Sequence, residues 1–162
     1  MSQNSLSFTV SIDAARRWTS TGVRLQAGET YALSVSGQWR DASIDSGPSG
    51  YASVNLFQRA TERLRRVPSA PWFALVGAID RLRDTQFVIG GGCVYRAIAD
   101  GELTCFANDL LGFYWNNSGS VTLHVTKVED SSVDDAEGPE LGDRSRRRCG
   151  STSVSPESGT HG

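Results

Sequence analysis

Histidine is scarce in this sequence, and this scarcity argues against most nucleophilic enzyme chemistry. The two histidines are His124, on the polar side of a predicted strand, and His161, near the C-terminus, and neither belongs to a Ser-His or Cys-His motif. The glycine run at residues 90–92 precedes strand-like residues rather than the helix that a phosphate-binding loop requires. We therefore expect a protein that is not an enzyme. Aspartates could still meet in space as in a glycosidase, although nothing in their spacing favours it: they are Asp41, Asp45, Asp80, Asp84 and Asp109.

Cysteines are also few, and the first residues do not show the pattern of a signal peptide. Cys93, Cys105 and Cys149 form an odd set without the spacing of a metal site. A Cys93–Cys105 disulfide is an option in an oxidising compartment, but we expect buried free thiols. No basic and apolar leader opens the sequence, and no apolar run reaches membrane-spanning length. The default expectation is a cytoplasmic protein without a membrane span, and release by a route that needs no signal peptide stays open.

The last part of the sequence lacks aromatic residues and large apolar side chains. Every aromatic residue lies between Phe8 and Trp115, and charge, Ser, Gly and Pro dominate after Val128. Such a composition cannot bury enough surface to offset the entropy cost of ordering the chain. We predict one folded domain over residues 1–128 and a disordered polar tail over residues 129–162. The formal net charge of -2 gives no reason to expect a nucleic-acid partner.

Alternation of apolar and polar residues dominates the rest of the chain and predicts strands. Residues 70–79 are almost continuously apolar, as in a strand buried on both faces. The Asp100-Gly101 pair predicts a tight hairpin between the strand-like sequences "CVYRAIA" and "ELTCFA". The spacing of these short strands indicates an all-β fold, an antiparallel jelly-roll β-sandwich. Apolar side chains at every second position mark the half-buried strands: residues 6–12, 29–37 and 118–128.

One segment departs from this pattern. The sequence "YASVNLFQRATERLRRVP" is rich in helix formers, and Phe57, Ala60 and Leu64 recur at helical spacing. We predict a helix over residues 52–65 that packs on the edge or mouth of the sandwich. Its arginines form either a binding face or, in the simpler interpretation, a solvated helix face: they are Arg59, Arg63, Arg65 and Arg66.

The sequence "NDLLGFYWNNSGS", at residues 108–120, places oxygen-bearing side chains on both sides of three consecutive aromatic residues. Calcium takes about six to eight oxygen ligands from carboxylates, amides, main-chain carbonyls and water. Asp109, Asn116 and Asn117 could supply such oxygens, with a second carboxylate from Asp41 or Asp45. On spacing alone, a turn stabilised by Asx hydrogen bonds is the better interpretation.

A resemblance to a known family favours the calcium site over the simple turn. The sequence "ANDLLGFYWNNSGSVTLHV" resembles the calcium loop and final strand of the LecA-like (PA-IL-type) bacterial galactose-binding lectins, and "AGETYALSVSGQW" and "GPSG" are similar to earlier parts of that family. The resemblance implies a galactose-binding-domain-like sandwich with one bound calcium ion. The ligands that it implies are the main-chain carbonyls of Asp41 and Phe113, the carboxylate of Asp109 and the side-chain oxygens of Asn116 and Asn117.

The same resemblance implies how a sugar would be held. In that family two adjacent sugar hydroxyls complete the coordination of calcium, and an aromatic side chain can pack on the apolar face of the sugar. Tyr114 and Trp115 are available for this contact, whereas Phe113 is expected to cover the end of the core. The family's sugar-contacting His and Gln have no aligned counterpart here, and Asn55 and Gln58 are the candidate substitutes.

The expected function is therefore calcium-dependent binding of a carbohydrate, either galactose-type or another glycan. Lectins gain avidity by presenting several sites together, so a homo-oligomer is a further expectation. The alternative is a metal-free module on the same sandwich that binds a protein or lipid through the helix and its arginines. Calcium would then change neither stability nor binding, which separates the two hypotheses.

Overall fold

The computed structural model describes residues 6–129 and 147–151, and within them the chain forms two packed antiparallel sheets. The first sheet has the order β1-β9-β3, and β7 and β4 follow one another along the other edge of β3. The second sheet has the order β10-β6-β5-β8-β2. The predicted all-β sandwich is confirmed. In chain order the strands are β1 (Ser7–Asp13), β2 (Thr19–Leu25), β3 (Thr30–Asp41), β4 (Ile44–Ser46), β5 (Leu75–Ile79), β6 (Phe87–Val88), β7 (Gly92–Arg96), β8 (Gly101–Ala107), β9 (Asn117–Val128) and β10 (Gly150–Ser151).

The core lies between the two sheets, where the alternating strands place their apolar side chains. In β9 the buried residues are Val121, Leu123 and Val125, while the residues between them face outward. Strand β5 is buried at all five positions, which confirms the prediction for the continuously apolar stretch. Trp39 of the first sheet meets Phe73 edge to face, with ring centroids 5.6 Å apart. These contacts join the sheets through the main core, and a second buried cluster is separate from it: Val67, Ala70, Ala74, Val76 and Phe106.

The prediction of a hairpin at Asp100-Gly101 is wrong. Strand β7 pairs with β3 in the first sheet, whereas β8 pairs with β2 and β5 in the second. The turn therefore carries the chain from one sheet to the other. The Asp100 carboxylate accepts a hydrogen bond from Ala27 N at 2.8 Å, which ties this corner to the connection between β2 and β3.

Strand β2 is absent from the sequence predictions because a bulge interrupts its alternation. Gly22 has a φ of 73°, and the pairing of β2 with β8 shifts register between Ser20 and Arg24. The Glu102 carboxylate accepts a hydrogen bond from Gly22 N at 2.9 Å and so satisfies a main-chain donor released by the bulge.

The predicted helix is present but shorter, and its packing differs from the prediction. Helix α1 spans Leu56–Thr61, and 3-10 turns span Glu62–Leu64, Arg83–Thr85 and Tyr114–Asn116. Asn55 caps α1 by accepting a hydrogen bond from Gln58 N at 2.8 Å. The apolar side chains expected to pack inward are exposed at Phe57 and Leu64, and Gln58 is the buried residue of α1. No helix in the described ranges has the length and apolar character needed to cross a membrane.

Arg66 does not belong to a solvated or ligand-binding arginine face. Its guanidinium group is buried 3.4 Å from the ring centroid of Phe106 and 4.5 Å from that of Trp18. It donates hydrogen bonds to the Tyr114 hydroxyl at 2.9 Å and to the Arg17 carbonyl. Arg66 is therefore a structural residue beneath the 108–120 loop, while Arg63 stays exposed.

Residues 147–151 belong to the sandwich, contrary to the expectation of a disordered tail at these positions. Strand β10 pairs with β6, and Val94 forms an isolated parallel bridge with Arg148. Cys149 forms a disulfide with Cys93, so the prediction that Cys93 is a free thiol is wrong. Cys105 is a buried free thiol, as predicted. Sequence spacing could not identify this pair because the two cysteines are 56 residues apart. Residues 130–146 and 152–162 of the predicted tail lie outside the described residues.

Candidate functional site

A cleft of about 190 Å³ lies where the long strands β3 and β9 meet their loops, and we call it the loop cleft. Asp41 and Asn117 are cross-strand neighbours in the last pair of the β3–β9 ladder. The cleft thus joins the end of the first sheet, the 108–120 loop and the start of α1. The polar and aromatic residues that line it are Asp41, Ser43, Asn55, Phe57, Gln58, Trp72, Asp109, Phe113 and Asn116.

The 108–120 loop is held in place by buried hydrogen bonds, above all those of Asn108. The Asn108 side chain accepts from Val67 N at 3.0 Å and donates to the carbonyls of Val67 and Pro71 at 2.9 and 3.0 Å. On the other side of the loop, Tyr114 donates to the Ala107 carbonyl at 2.6 Å. These bonds fix the loop ends, so the side chains between them have a defined geometry.

Asp109 carries a buried carboxylate at the base of this loop, and the residue is 3% exposed. Its two oxygens accept hydrogen bonds from Leu110 N at 2.7 Å and from Asn117 Nδ2 at 2.9 Å. Burial raises the pKa of Asp109 above its ordinary value, and the nearby negative charge of Asp41 raises it further, while the two hydrogen bonds oppose the shift. A positive charge in the cleft would therefore stabilise the ionised carboxylate.

Asn116 and Asn117 each present a buried side-chain oxygen without a donor. Asn117 Nδ2 donates to two acceptors, the Asp109 carboxylate at 2.9 Å and the Ala14 carbonyl at 3.3 Å. These two acceptors assign the amide orientation, because only the nitrogen can donate to them. Its Oδ1 atom has no hydrogen-bond partner in the described structure, and neither does Asn116 Oδ1. Buried polar atoms are almost always satisfied, so the acceptors on these two consecutive residues are positions that a donor or a cation can fill.

The two carboxylates of the loop cleft also lack a cationic partner among the described ion pairs, which are Arg16–Asp13, Arg40–Asp45 and Lys127–Glu29. Asp45 therefore belongs to an exposed ion pair, and Asp41 is the second acidic residue of the cleft. Burial raises the pKa of Asp41, and a hydrogen bond from Tyr51 partly opposes this effect. Buried charges are normally paired or bound to a metal, and neither Asp41 nor Asp109 belongs to an ion pair among the described residues.

The donor set suits a hard cation. The described residues contain no group of three or more His, Cys, Asp or Glu side chains that could hold a metal, as zinc sites require. The cleft instead offers one or two carboxylates with amide and main-chain oxygens, which are calcium ligands. The Phe113 carbonyl accepts from Asn116 N at 3.2 Å and retains a second lone pair. The residues present therefore fit calcium.

The helix residues proposed as sugar contacts both line the loop cleft, but they differ in availability. Both ends of the Gln58 amide are engaged, since Nε2 donates to Tyr51 at 2.7 Å and Oε1 accepts from Val54 N at 2.9 Å. Asn55 is exposed, and its Oδ1 caps the helix, so its Nδ2 group is the donor left for a ligand. Gln58 is consequently a structural residue, and Asn55 is the better candidate.

The expectation that Tyr114 is an exposed sugar platform is wrong. Tyr114 is 4% exposed, and burial raises its pKa to about 12. Trp115 is 80% exposed and is adjacent in sequence to Asn116, although it does not line the loop cleft itself. Phe113 is exposed and its ring centroid lies 5.7 Å from that of Phe57, so it contributes to the cleft wall and does not belong to the buried core.

Comparison with known proteins supports a fold relationship. No protein-family model and no curated protein matches the sequence. Among solved structures, the chain is similar to one described as "EclA N-terminal domain; PllA-like lectin", with a TM-score of 0.57 and 25% sequence identity. The similarity covers 78% of this chain and 100% of that chain.

The chain has a lectin-like fold. The relationship is to a PllA-like lectin, and it does not extend to membership of the LecA-like group in particular. Sequence reasoning missed the positioning role of three residues in this lectin-like fold: Tyr51, Arg66 and Asn108. Only Asn108 carries a sequence signal, as a polar residue between an apolar strand and the acidic loop.

Proposed function

We propose that the protein is a calcium-dependent lectin that binds carbohydrate at the loop cleft. The observation that carries this proposal is the pair of buried amide oxygens, Asn116 Oδ1 and Asn117 Oδ1, which have no donor and lie in the same loop as a buried carboxylate. Leaving such acceptors unsatisfied costs about 1–3 kcal/mol each, and a bound cation would remove that cost.

The residues that would hold calcium are those expected from the sequence. Asp109, Asn116 and Asn117 would contribute side-chain oxygens, and Asp41 and Phe113 would contribute main-chain carbonyls. Once bound, calcium would offer its remaining coordination positions to two sugar hydroxyls. The protein's own part is to hold the acceptors in one place, which the Asn108 bonds and the β3–β9 ladder accomplish.

Carbohydrate as the ligand is supported by the similarity to a solved lectin and by the surroundings of the cleft. Sugars stack their apolar faces on exposed aromatic rings. Such rings are present at the loop cleft in Phe57 and Phe113, and beside Asn116 in Trp115. Asn55 provides an amide donor for a sugar oxygen. The identity of the sugar depends on these groups, because the helical segment has no histidine.

Asn116→Ala tests this function with little disturbance of the fold, because no described hydrogen bond uses the Asn116 side chain. The wild-type protein on a glycan array should bind in calcium, lose binding in chelator and fail to regain it in magnesium. The variant should lose calcium-dependent binding, and Ser118→Ala, at a neighbouring exposed residue, should retain it. Equal glycan binding with and without calcium would contradict the proposal.

The metal-free interaction module stays as a second candidate because of the exposed apolar residues of the helical segment. Leu56 is 81% exposed, and Phe57 and Leu64 are also exposed. Exposed apolar patches often mark binding surfaces for proteins or membranes. In that case Leu56→Ser and charge reversal at Arg63 should abolish partner binding, and calcium should have no effect on the unfolding midpoint.

A further inference from the structure

Helix α1 is attached to the sandwich mainly by polar contacts, and its one described ring contact is that of Phe57 with Phe113. It has six residues, and its single buried side chain is that of Gln58. Its first residues, Leu56 and Phe57, expose most of their side chains. A helix this short is unstable on its own, so its position depends on the groups that contact Gln58.

Tyr51 is the group that connects Gln58 to the loop cleft. The Tyr51 hydroxyl accepts a hydrogen bond from Gln58 Nε2 at 2.7 Å. Because Nε2 is only a donor, the hydroxyl proton is directed to the other neighbour, the Asp41 carboxylate. A continuous hydrogen-bonded path therefore runs from α1 through Tyr51 to the residue that pairs with Asn117 at the end of β3.

The main chain of Tyr51 is fixed independently of the helix. Tyr51 N donates to the Trp72 carbonyl at 2.8 Å, and Trp72 N donates to the Tyr51 carbonyl at 3.1 Å. Trp72 is buried, so this bridge anchors Tyr51 on the sandwich. The Tyr51 side chain therefore has a fixed position, and its hydroxyl contacts Gln58 of α1 on one side and the Asp41 carboxylate on the other.

We propose that Tyr51 is a positioning residue that couples helix α1 to the calcium site, so that cation binding and helix docking stabilise one another. This inference rests on the proposed function. Binding at one end of a shared hydrogen-bonded path orders the other end, and the coupling is reciprocal. Through Tyr51, calcium would place Asn55 and Phe57 against the ligand, since both belong to the helical segment and line the loop cleft.

Tyr51→Phe removes the hydroxyl and leaves the ring in place. The calcium dissociation constant, measured by isothermal titration calorimetry, should rise about ten-fold, the size of one lost hydrogen bond to a charged group. Calcium should also protect the wild-type helix from trypsin at Arg59 and Arg63, which are exposed, and this protection should be weaker in the variant. Mass spectrometry of the fragments identifies the two cleavage sites.

Tyr31→Phe is the matched control, because its hydroxyl accepts a hydrogen bond from Gln26 N at 2.9 Å outside the loop cleft. The control should keep wild-type calcium affinity and protection. If Tyr51→Phe lowers the unfolding midpoint in chelator but leaves calcium affinity and protection unchanged, Tyr51 is structural only and the inference fails alone. If the wild-type protein binds no calcium, the proposed function fails and this inference fails with it.

Discussion

Replacing Asp109 by Asn removes the buried negative charge of the loop cleft while keeping the size of the side chain. In the structure, the two Asp109 oxygens accept from Leu110 N and from Asn117 Nδ2. An Asn at this position can still accept from Leu110 N, and its amide nitrogen can donate to Asn117 if the Asn117 amide rotates by half a turn. The rearrangement loses the weak bond to the Ala14 carbonyl and turns an amide oxygen towards it, so the cost to the chelated protein should be about 1 kcal/mol.

The effect on calcium binding should be much larger. Calcium at one hundred times its dissociation constant adds about 2.7 kcal/mol to the stability of wild-type protein, which corresponds to a rise in midpoint of about 10 °C for a domain of this size. Asp109→Asn should abolish this rise, because a neutral amide replaces the charged ligand that the cleft presents. Its midpoint in chelator should lie within a few degrees of the wild-type value, since losing the repulsion with Asp41 offsets part of that cost.

The assay is thermal unfolding in chelator, in millimolar calcium and in magnesium. Asp45→Asn is the matched control, because Asp45 is exposed and forms an ion pair with Arg40 outside the cleft. This control should keep the whole calcium-dependent rise. The reasoning is refuted if Asp109→Asn retains the wild-type calcium response, or if calcium does not raise the wild-type midpoint.

Two further predictions concern the scaffold. Gly50→Ala should destabilise the protein by about 3 kcal/mol or more in urea unfolding, because φ is +76° and a Cβ would overlap the Trp72 carbonyl oxygen. Gly112→Ala, where a Cβ has open space, should change stability little, and equal effects of the two substitutions would contradict the structure. Cys149→Ser should lower the free energy of unfolding by up to about 4 kcal/mol in oxidising buffer, as expected for a cross-link spanning 56 residues. The difference should vanish when wild-type protein is reduced, and no difference in oxidising buffer would rule out the Cys93–Cys149 link.

The candidate cation ligands show which part of the site a local sequence motif can predict. Asp109, Asn116 and Asn117 lie within nine residues of one another, and the short loop brings them together. Asp41 is far away in sequence, and no periodicity relates it to the loop. Its place beside Asn117 follows from the pairing of β3 with β9, which is a property of the sheet.

The aromatic residues illustrate where local reasoning fails. Tyr114 and Trp115 are adjacent and chemically similar, yet one is buried and the other is exposed. The difference arises because Arg66 lies beneath the loop and satisfies the Tyr114 hydroxyl. Arg66 belongs to a segment 48 residues away, so the sequence around Tyr114 contains no sign of it.

The sequence by itself determined the alternating strands, the site of the helix and the oxygen-rich loop, because each depends on residues that are neighbours along the chain. Tertiary structure alone decided that β7 and β8 lie in opposite sheets, that Cys93 pairs with Cys149 and that Tyr51 joins the helix to Asp41. A local pattern states which face of a segment is apolar. It does not state which distant segment will cover that face, because this choice is made by packing the whole core at once.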